Sequence, residues 1–304
     1  MVVAGTMAAV LAASIAGAVK LPAPGTPSQV AKLVATSHTI TSLSAKLRGQ
    51  VANAANDNPG KVYPTTENGC TNPSACVFGD AKAAKAIVLF GDSHAQMWLP
   101  AVNRIAAAHK LKLILLFMPQ CPAATLNVWL PNYDTSYTAC SATRRAWIAD
   151  LNKSHPLTIL LADRTYNVRS AASGGTSTFT EAQWQAGMET TISTLRPSKA
   201  HIVVLGDITV LDQSVPSCLA ADATSVQSCS VPNPNPARPS RVAAERAAAK
   251  VENVTYVDPA PWLCTKTCSP VIGGYIAYYD PFHISVTYDG FLSGVLQIAL
   301  RKVL

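Results

Sequence analysis

Charged residues are scarce in this chain of 304 residues. Asp, Glu, Lys and Arg make up only 13% of it, and aromatic residues make up 7%. The 24 Lys and Arg exceed the 17 Asp and Glu and give a net charge of +7, but no basic run occurs and no basic stripe is interleaved with aromatic side chains. A nucleic-acid partner is therefore not expected. The 49% of apolar residues argues against a disordered chain and predicts a globular domain with a core.

Sequence patterns for metal and phosphate binding are also lacking. The chain has neither a Cys-x-x-Cys nor a His-x-x-x-His spacing, which metal sites commonly use. Gly273-Gly274 is not followed by the Gly-Lys-Ser or Gly-Lys-Thr of a phosphate-binding loop. We therefore expect no metal site and no cofactor.

Cysteine is the residue type that is unexpectedly frequent. The eight cysteines fall as near neighbours along the chain: Cys70 and Cys76, Cys121 and Cys140, Cys218 and Cys229, Cys264 and Cys268. An even number in local pairs favours four structural disulfides over a metal site, and disulfides indicate an oxidising compartment. The sequence alone does not fix which cysteines pair.

The first residues form an apolar run. Residues 2–19 carry no charge and end at Lys20, a length about the minimum for a membrane-spanning helix. A buried helix is the less favoured reading because three prolines follow at residues 22, 24 and 27. A cleaved secretory signal remains an alternative, although no Lys or Arg precedes the run. We expect residues 1–20 to be an uncleaved membrane anchor or the last helix of a longer membrane protein, with the globular part outside the cytoplasm, either periplasmic or at the cell surface.

Strand and helix patterns alternate through the rest of the chain. Residues 21–80 are rich in turn-forming residues and are expected to be an extracytoplasmic connector, and residues 81–304 are expected to be one catalytic domain. Five apolar runs of strand length predict a mainly parallel sheet of about five strands, at residues 86–90, 111–117, 157–161, 201–205 and 254–257. Amphipathic helical stretches between the runs predict a three-layer α/β/α sandwich. The Pro- and Asn-rich segment 230–240 predicts a surface loop.

A serine follows the first predicted strand of this sheet. The strand ends in Gly91-Asp92-Ser93-His94, and a helical pattern begins directly afterwards. Ligands of such sheets bind at the carboxyl ends of the strands, where amides at a helix start can hold an oxyanion. Ser93 is thus a candidate nucleophile, with its own amide as an oxyanion donor. An ordinary helix N-cap is the alternative reading of the same residues.

A second motif lies near the end of the chain, in Asp280-Pro281-Phe282-His283. A neutral histidine can take a proton from a serine, and a carboxylate at its other nitrogen orients the ring and stabilises the imidazolium. One tight turn can present Asp280 and His283 together. An ordinary loop is the alternative for this motif alone, but its pairing with Gly-Asp-Ser in one α/β domain favours catalysis.

The paired motifs resemble those of the SGNH/GDSL hydrolase superfamily, in which Gly-Asp-Ser opens the domain and Asp-x-x-His closes it. Residues 88–95 and 279–285, together with Cys121-Pro122 and the Cys264/Cys268 pair, are similar to the SGNH domains attached to membrane acyltransferases of family 3. The resemblance covers roughly residues 82–304. It implies a flavodoxin-like fold and O-acyl transfer, usually of acetyl, onto cell-envelope glycans. It also implies that Ser93 is the nucleophile, His283 the base and acid, and Asp280 its orienting partner.

The chain departs from the superfamily pattern at the oxyanion hole. Residues 118–122 contain no glycine where the superfamily has one, and residues 161–165 contain no asparagine. Arg164 is a tentative substitute, because a guanidinium can stabilise developing negative charge. A salt bridge of Arg164 with Asp163 or another acid is the alternative. His94 is expected to serve local hydrogen bonding, and a turn or cap accounts for Asp207 after the fourth strand.

Three functions are compatible with these residues. The first is an extracytoplasmic serine-dependent O-acyltransferase that modifies a cell-envelope glycan and receives its acyl group from a membrane acyltransferase, fused or separate. The second is a carbohydrate or acetyl esterase with the same three residues, in which water is the acceptor. The third is a catalytically weak glycan-binding module, which the missing glycine and asparagine favour and the presence of all three catalytic residues disfavours.

Overall fold

The computed structural model describes residues 20–63, 65 and 69–304. The strands in this part of the chain are β1 (Val77–Gly79), β2 (Ala86–Gly91), β3 (Lys112–Phe117), β4 (Val128–Leu130), β5 (Thr135–Ser136), β6 (Thr158–Ala162), β7 (Arg169–Ser170), β8 (His201–Leu205), β9 (Val231–Pro232), β10 (Thr255–Val257), β11 (Thr267–Cys268), β12 (Val271–Ile272) and β13 (Tyr275–Ile276). The α-helices are α1 (Pro27–Thr36), α2 (Ala45–Val51), α3 (Pro59–Val62), α4 (Ser93–Met97), α5 (Leu99–Ala108), α6 (Thr138–Ser154), α7 (Glu181–Leu195), α8 (Val215–Ala221), α9 (Val242–Val251) and α10 (Val286–Leu300).

The central sheet has the strand order β1-β3-β2-β6-β8-β10. Five of its strands pair in parallel with their neighbours: β3, β2, β6, β8 and β10. The sixth strand, β1, lies at the edge and pairs antiparallel with β3. This confirms the predicted mainly parallel sheet. The additional edge strand β1 escapes sequence analysis because it has only three residues, all half-buried, and therefore no continuous apolar run.

Helices cover both faces of the sheet, which explains why its central strand is apolar throughout. Every residue of β2 is buried, and alternate side chains enter different clusters. Ile87 and Leu89 pack with residues of α1, α5 and α10, whereas Val88 and Phe90 pack with residues of α6, α7 and α9. The result is the predicted three-layer α/β/α sandwich. Ligands of such sheets bind at the carboxyl ends of the parallel strands, and we call this side of the sheet the reactive edge.

The helical segment that follows β2 is divided into two helices. α4 ends at Met97, and Trp98 separates it from α5, which has Pro100 in its first turn. Proline has no N–H and is tolerated only in the first turn of a helix, so the break lies just before it. α4 is consequently a short helix that begins with Ser93 and His94 at the sheet edge and packs Ala95 and Met97 into the core.

The N-terminal described segment packs onto the sandwich along much of its length. The N–H of Gly25 donates to the carbonyl of Phe291 in α10 at 2.7 Å. The carbonyl of Asp57 accepts from the N–H of Val286, at the start of α10, at 2.9 Å. Within residues 21–80, the apolar side chains that join the core include Val30, Val34, Leu43, Leu47 and Val51. The boundaries predicted at residues 20 and 80 stay predictions.

Four disulfides join the cysteines as neighbours: Cys70–Cys76, Cys121–Cys140, Cys218–Cys229 and Cys264–Cys268. No free cysteine remains among the described residues. Two of the cross-links lie near the segments of the candidate site in sequence. Cys121–Cys140 ties the loop after β3 to the first turn of α6, and Cys264–Cys268 precedes the loop that carries Asp280 and His283.

The predicted anchor at residues 2–19 lies outside the described residues. From residue 20 onwards, in the part of the chain that the structure describes, none of the helices combines the length and apolarity needed to cross a bilayer.

Candidate active site

Ser93 lies where β2 gives way to α4. The side chain of Asp92 caps the helix by accepting the N–H of His94 at 2.8 Å, and it also accepts the N–H of Arg164, at 3.0 Å from Oδ2. Gly91 is required at the end of the strand because a Cβ there would overlap the carbonyl oxygen of Ala162 on β6. Ser93 opens the helix, so its N–H has no carbonyl partner in a preceding turn. The tight strand-to-helix connection thus leaves both its hydroxyl and its amide at the reactive edge.

The loop before α10 brings Asp280 and His283 to the same edge. Oδ1 of Asp280 accepts the N–H groups of Phe282 and His283 at 2.7 and 2.8 Å, which closes the tight turn. Nδ1 of His283 lies 2.7 Å from Oδ2 of Asp280, and Nε2 of His283 lies 2.8 Å from Oγ of Ser93. A neutral imidazole that donates from Nδ1 to Asp280 and accepts the Ser93 hydroxyl proton at Nε2 satisfies both contacts.

The electrostatic setting favours an ionised Asp280 and a neutral His283. Burial raises the pKa of Asp280, but the hydrogen bond and charge of His283 and the two backbone N–H groups outweigh it and hold this pKa below its usual value. Burial lowers the pKa of His283 more than Asp280 raises it, and the nearby His94 lowers it further. A neutral histidine beside a carboxylate is the protonation state that a general base requires.

A second histidine and carboxylate lie behind the first pair. His94 is buried, its ring centroid is 5.0 Å from that of His283, and its Nδ1 lies 2.7 Å from Oδ1 of Asp207. Asp207 also accepts the N–H and the hydroxyl of Thr165, at 2.7 and 2.8 Å. Burial lowers the pKa of His94, but Asp207 and Asp92 outweigh it and raise this pKa above its ordinary value. The Asp207 side chain therefore connects His94 with the segment after β6, beneath His283. This is more than the local turn or cap that the sequence predicts for Asp207.

Arg164 lies beside the loop of His283 rather than in a salt bridge with its neighbour. Its guanidinium carbon is 5.7 Å from the ring centroid of Phe282. The carboxylate of Asp163 instead accepts the N–H groups of Ala123 and Ala124, at 2.7 and 3.1 Å, and so holds the loop after β3. Burial, and then the charge of Asp92, raise the pKa of Asp163. Within residues 20–63, 65 and 69–304, no ion pair of Arg164 forms.

Among the described residues, no group of three or more His, Cys, Asp or Glu side chains has an arrangement that could hold a metal ion. The carboxylates of Asp92, Asp163, Asp207 and Asp280 instead accept backbone N–H groups.

The fold and the site geometry together define a class, the α/β-sandwich enzymes that hydrolyse or transfer acyl groups. The chain belongs to the SGNH domain family, in the form fused to AT3 domains, because the sequence profile of that family matches residues 61–296. This confirms the resemblance drawn from the two motifs.

Structure comparison finds solved structures that are similar to this chain at low sequence identity. The periplasmic domain of a lipopolysaccharide acetyltransferase from Salmonella ser. Paratyphi A is 12% identical, with 88% of this chain and 98% of that chain covered and a TM-score of 0.53. A GDSL-like lipase from Bacteroides thetaiotaomicron is 12% identical, with 73% and 90% covered and a TM-score of 0.41. A putative acylhydrolase from Bacteroides fragilis is 10% identical, with 86% and 100% covered and a TM-score of 0.42. No curated protein matches the chain in sequence.

Proposed function

We propose that the chain is an extracytoplasmic serine-dependent O-acyltransferase that places an acyl group, in the simplest case acetyl, on a cell-envelope glycan. The observation that carries the proposal is the continuous relay from Ser93 through His283 to Asp280, with contacts of 2.8 and 2.7 Å. Residues 190 positions apart make the first of these contacts, so the relay is a product of the whole fold.

In the first half-reaction, Oγ of Ser93 attacks the carbonyl carbon of the acyl donor while Nε2 of His283 takes the hydroxyl proton. The carbonyl π bond opens to an oxyanion. When the oxyanion collapses, the bond to the leaving group breaks, and His283 gives the proton to that group. Ser93 is then an ester, and Asp280 has stabilised the imidazolium throughout.

In the second half-reaction, a glycan hydroxyl attacks the acyl-serine and gives its proton to His283. The bond between the acyl carbon and Oγ of Ser93 breaks, and Oγ recovers the proton from His283. Water in place of the glycan would give the esterase, which is the second candidate and passes through the same intermediate. A site that excluded water from the acyl-serine would favour transfer over hydrolysis.

Oxyanion stabilisation falls first to the amide of Ser93, which opens α4. Residues 118–122 lack the glycine, and residues 161–165 lack the asparagine, that would supply further donors in the superfamily. Arg164 as the second donor stays a prediction. Removing one donor of an oxyanion hole typically costs a factor of about 10²–10³ in turnover, so even an incomplete hole supports catalysis.

Two observations support the compartment and the partner. Four disulfides are typical of a protein that folds in an oxidising environment. The family is fused to AT3 domains, and the Salmonella structure is a periplasmic domain of a lipopolysaccharide acetyltransferase. A membrane acyltransferase, fused or separate, would deliver the acyl group across the bilayer to Ser93, with residues 2–19 as the membrane attachment.

The test is acetylation of Ser93 by a neutral small donor. The oxidised full-length chain, purified in detergent, is incubated with p-nitrophenyl acetate and followed by intact mass and peptide mapping. One acetyl group on Ser93 is expected, and Ser93→Ala and His283→Ala should abolish it. Ser217→Ala, which changes an exposed serine in the first turn of α8, is the matched control and should behave as the wild type. A folded Ser93→Ala protein with unchanged turnover would refute the mechanism and favour the glycan-binding module.

A further inference from the structure

Two arginines and two aromatic rings adjoin the catalytic histidine on one side. Phe282 directly precedes His283, and their ring centroids are 6.2 Å apart. The guanidinium carbons of Arg164 and Arg238 lie 5.7 and 5.8 Å from the centroid of the Phe282 ring. Arg238 also lies 5.5 Å from the centroid of the Tyr166 ring. We call these four residues the arginine–aromatic cluster.

The cluster is assembled from separate parts of the chain. Arg164 and Tyr166 follow β6, whereas Arg238 belongs to the Pro- and Asn-rich segment 230–240 that sequence analysis predicts to be a surface loop. That segment is firmly attached. Nδ2 of Asn235 donates to the carbonyl of Val210 at 2.9 Å and to Oδ1 of Asp212 at 3.0 Å. The N–H of Leu211 donates in turn to the carbonyl of Pro281 at 2.9 Å, which links the segment to the loop of His283.

The charges in the cluster are only partly balanced. Arg238 donates from Nε to Oδ1 of Asp212 at 3.2 Å, but that carboxylate is 51% exposed and is shared with solvent. The guanidinium of Arg164 makes no hydrogen bond or ion pair with the part of the chain that the structure describes. Both guanidinium groups are half-buried, and among the described residues only Asp212 forms an ion pair with either of them.

Guanidinium groups held against aromatic faces are pre-oriented to bind planar or tetrahedral anions. The ring contact fixes the plane of each group. Arg238 donates from Nε to Oδ1 of Asp212 and from Nη2 to the Asp212 carbonyl at 2.7 Å, which leaves its Nη1 donors for a ligand. Carboxylates and phosphates accept such donors in pairs, with short charge-assisted hydrogen bonds. A cluster of this kind one residue away from the general base suits an acceptor that carries negative charge near its reacting hydroxyl.

We propose that the arginine–aromatic cluster is an acceptor subsite for an anionic glycan, one that bears a carboxylate or a phosphate group close to the hydroxyl that is acylated. The inference rests on the proposed function, because it places the acceptor hydroxyl at acyl-Ser93. The anion lies over Arg164 and Arg238, and the hydroxyl reaches His283 from the side of Phe282. The substrate class is thereby narrowed from cell-envelope glycans in general to acidic ones.

The experiment measures how fast different sugars discharge acetyl-Ser93 in the full-length chain. Trigalacturonic acid is compared with its neutral methyl ester, and glucose 6-phosphate with glucose, at low salt. We expect each anionic sugar to discharge the acetyl group at least about tenfold faster than its neutral counterpart, since one charge-assisted hydrogen bond suffices for that factor. The pair with the larger ratio identifies carboxylate or phosphate as the ligand. Ratios of one for both pairs overturn the proposal.

Variants are scored by the same ratio, so that a general loss of activity cancels. Arg238→Gln should bring the ratio towards one. Arg238→Lys keeps the positive charge but not the paired N–H donors of the guanidinium, so its ratio should lie between those of Arg238→Gln and the wild type. Arg246→Gln is the matched control: Arg246 lies 5.2 Å from the ring centroid of Tyr256 and pairs with Asp258, elsewhere on the chain. A ratio that survives Arg238→Gln, or that falls equally in Arg246→Gln, overturns the assignment.

Failure of the subsite and failure of the proposed function remain distinguishable. If p-nitrophenyl acetate leaves no acetyl group on Ser93, the proposed mechanism fails, and binding of the same four sugars is then measured by calorimetric titration. Anion-selective binding that 0.5 M salt weakens and Arg238→Gln abolishes would sustain the subsite without catalysis. Equal binding of charged and neutral sugars would overturn it.

Discussion

Removal of the Cys121–Cys140 disulfide should destabilise the protein more than removal of the Cys264–Cys268 disulfide. The paired cysteines are 19 and 4 residues apart in sequence, and neither loop contains another cross-link. A cross-link restricts the unfolded chain in proportion to the logarithm of its loop length, which gives about 3.2 kcal/mol for the longer loop and about 1.9 kcal/mol for the shorter one. The expected difference in the free energy of unfolding is thus roughly 1.3 kcal/mol.

The comparison uses two double variants, Cys121→Ala/Cys140→Ala and Cys264→Ala/Cys268→Ala. All four cysteines are at most 6% exposed, so the voids that alanine leaves are similar and largely cancel. Urea unfolding under oxidising conditions measures both free energies, and peptide mapping without reductant verifies the remaining pairs. A shorter-loop variant that loses as much stability as the longer-loop variant would refute the loop-entropy reasoning. The longer-loop variant should also acetylate Ser93 more slowly, since residues 118–124 border the site.

Two further perturbations test the site itself. Burial lowers the pKa of His283 below its ordinary 6.5, and only neutral His283 can accept the Ser93 proton. The rate of Ser93 acetylation should therefore fall on acidification with a midpoint below pH 6.5, and a midpoint above 6.5 would contradict this environment. Gly91→Ala should cost about 1–3 kcal/mol in urea unfolding and slow acetylation, because its Cβ meets the backbone of Ala162 and pushes β2 from β6. Gly274→Ala, where no atom lies within 4 Å of the added Cβ, is the control and should unfold like the wild type.

The parallel strands could be predicted because each is a continuous apolar run buried on both faces. The two motifs of the candidate site could be predicted because each is local: Gly91 to His94 form one turn, and Asp280 to His283 form another. The pairing of these turns follows from the rule that parallel strands end at a common edge. The topology of an ordinary doubly wound sheet is therefore enough to predict that the two turns lie close together.

Contacts that depend on packing between distant segments could not be predicted in the same way. Nothing local to His94 indicates that Asp207 will lie beside it, because β2 and β8 are separated in the sheet by β6. The approach of Arg238 to Phe282 depends on how segment 230–240 is held by Asp212, and a Pro- and Asn-rich composition indicates only that this segment is not regular structure. Such side chains become visible as candidates only when the loops are seen in place.

The attachment of the N-terminal segment to α10 has a mechanical consequence. Gly25 is bonded to the middle of the helix and Asp57 to its first residue, three positions after His283. The segment is therefore attached to the domain at two points and is not a free linker. If residues 2–19 lie in a bilayer, these two hydrogen bonds keep Ser93 near the membrane attachment and restrict its height above the lipid surface. A donor or an acceptor must reach Ser93 within that range of heights. Access to the site therefore depends on how the domain is attached to the membrane as well as on the shape of the site.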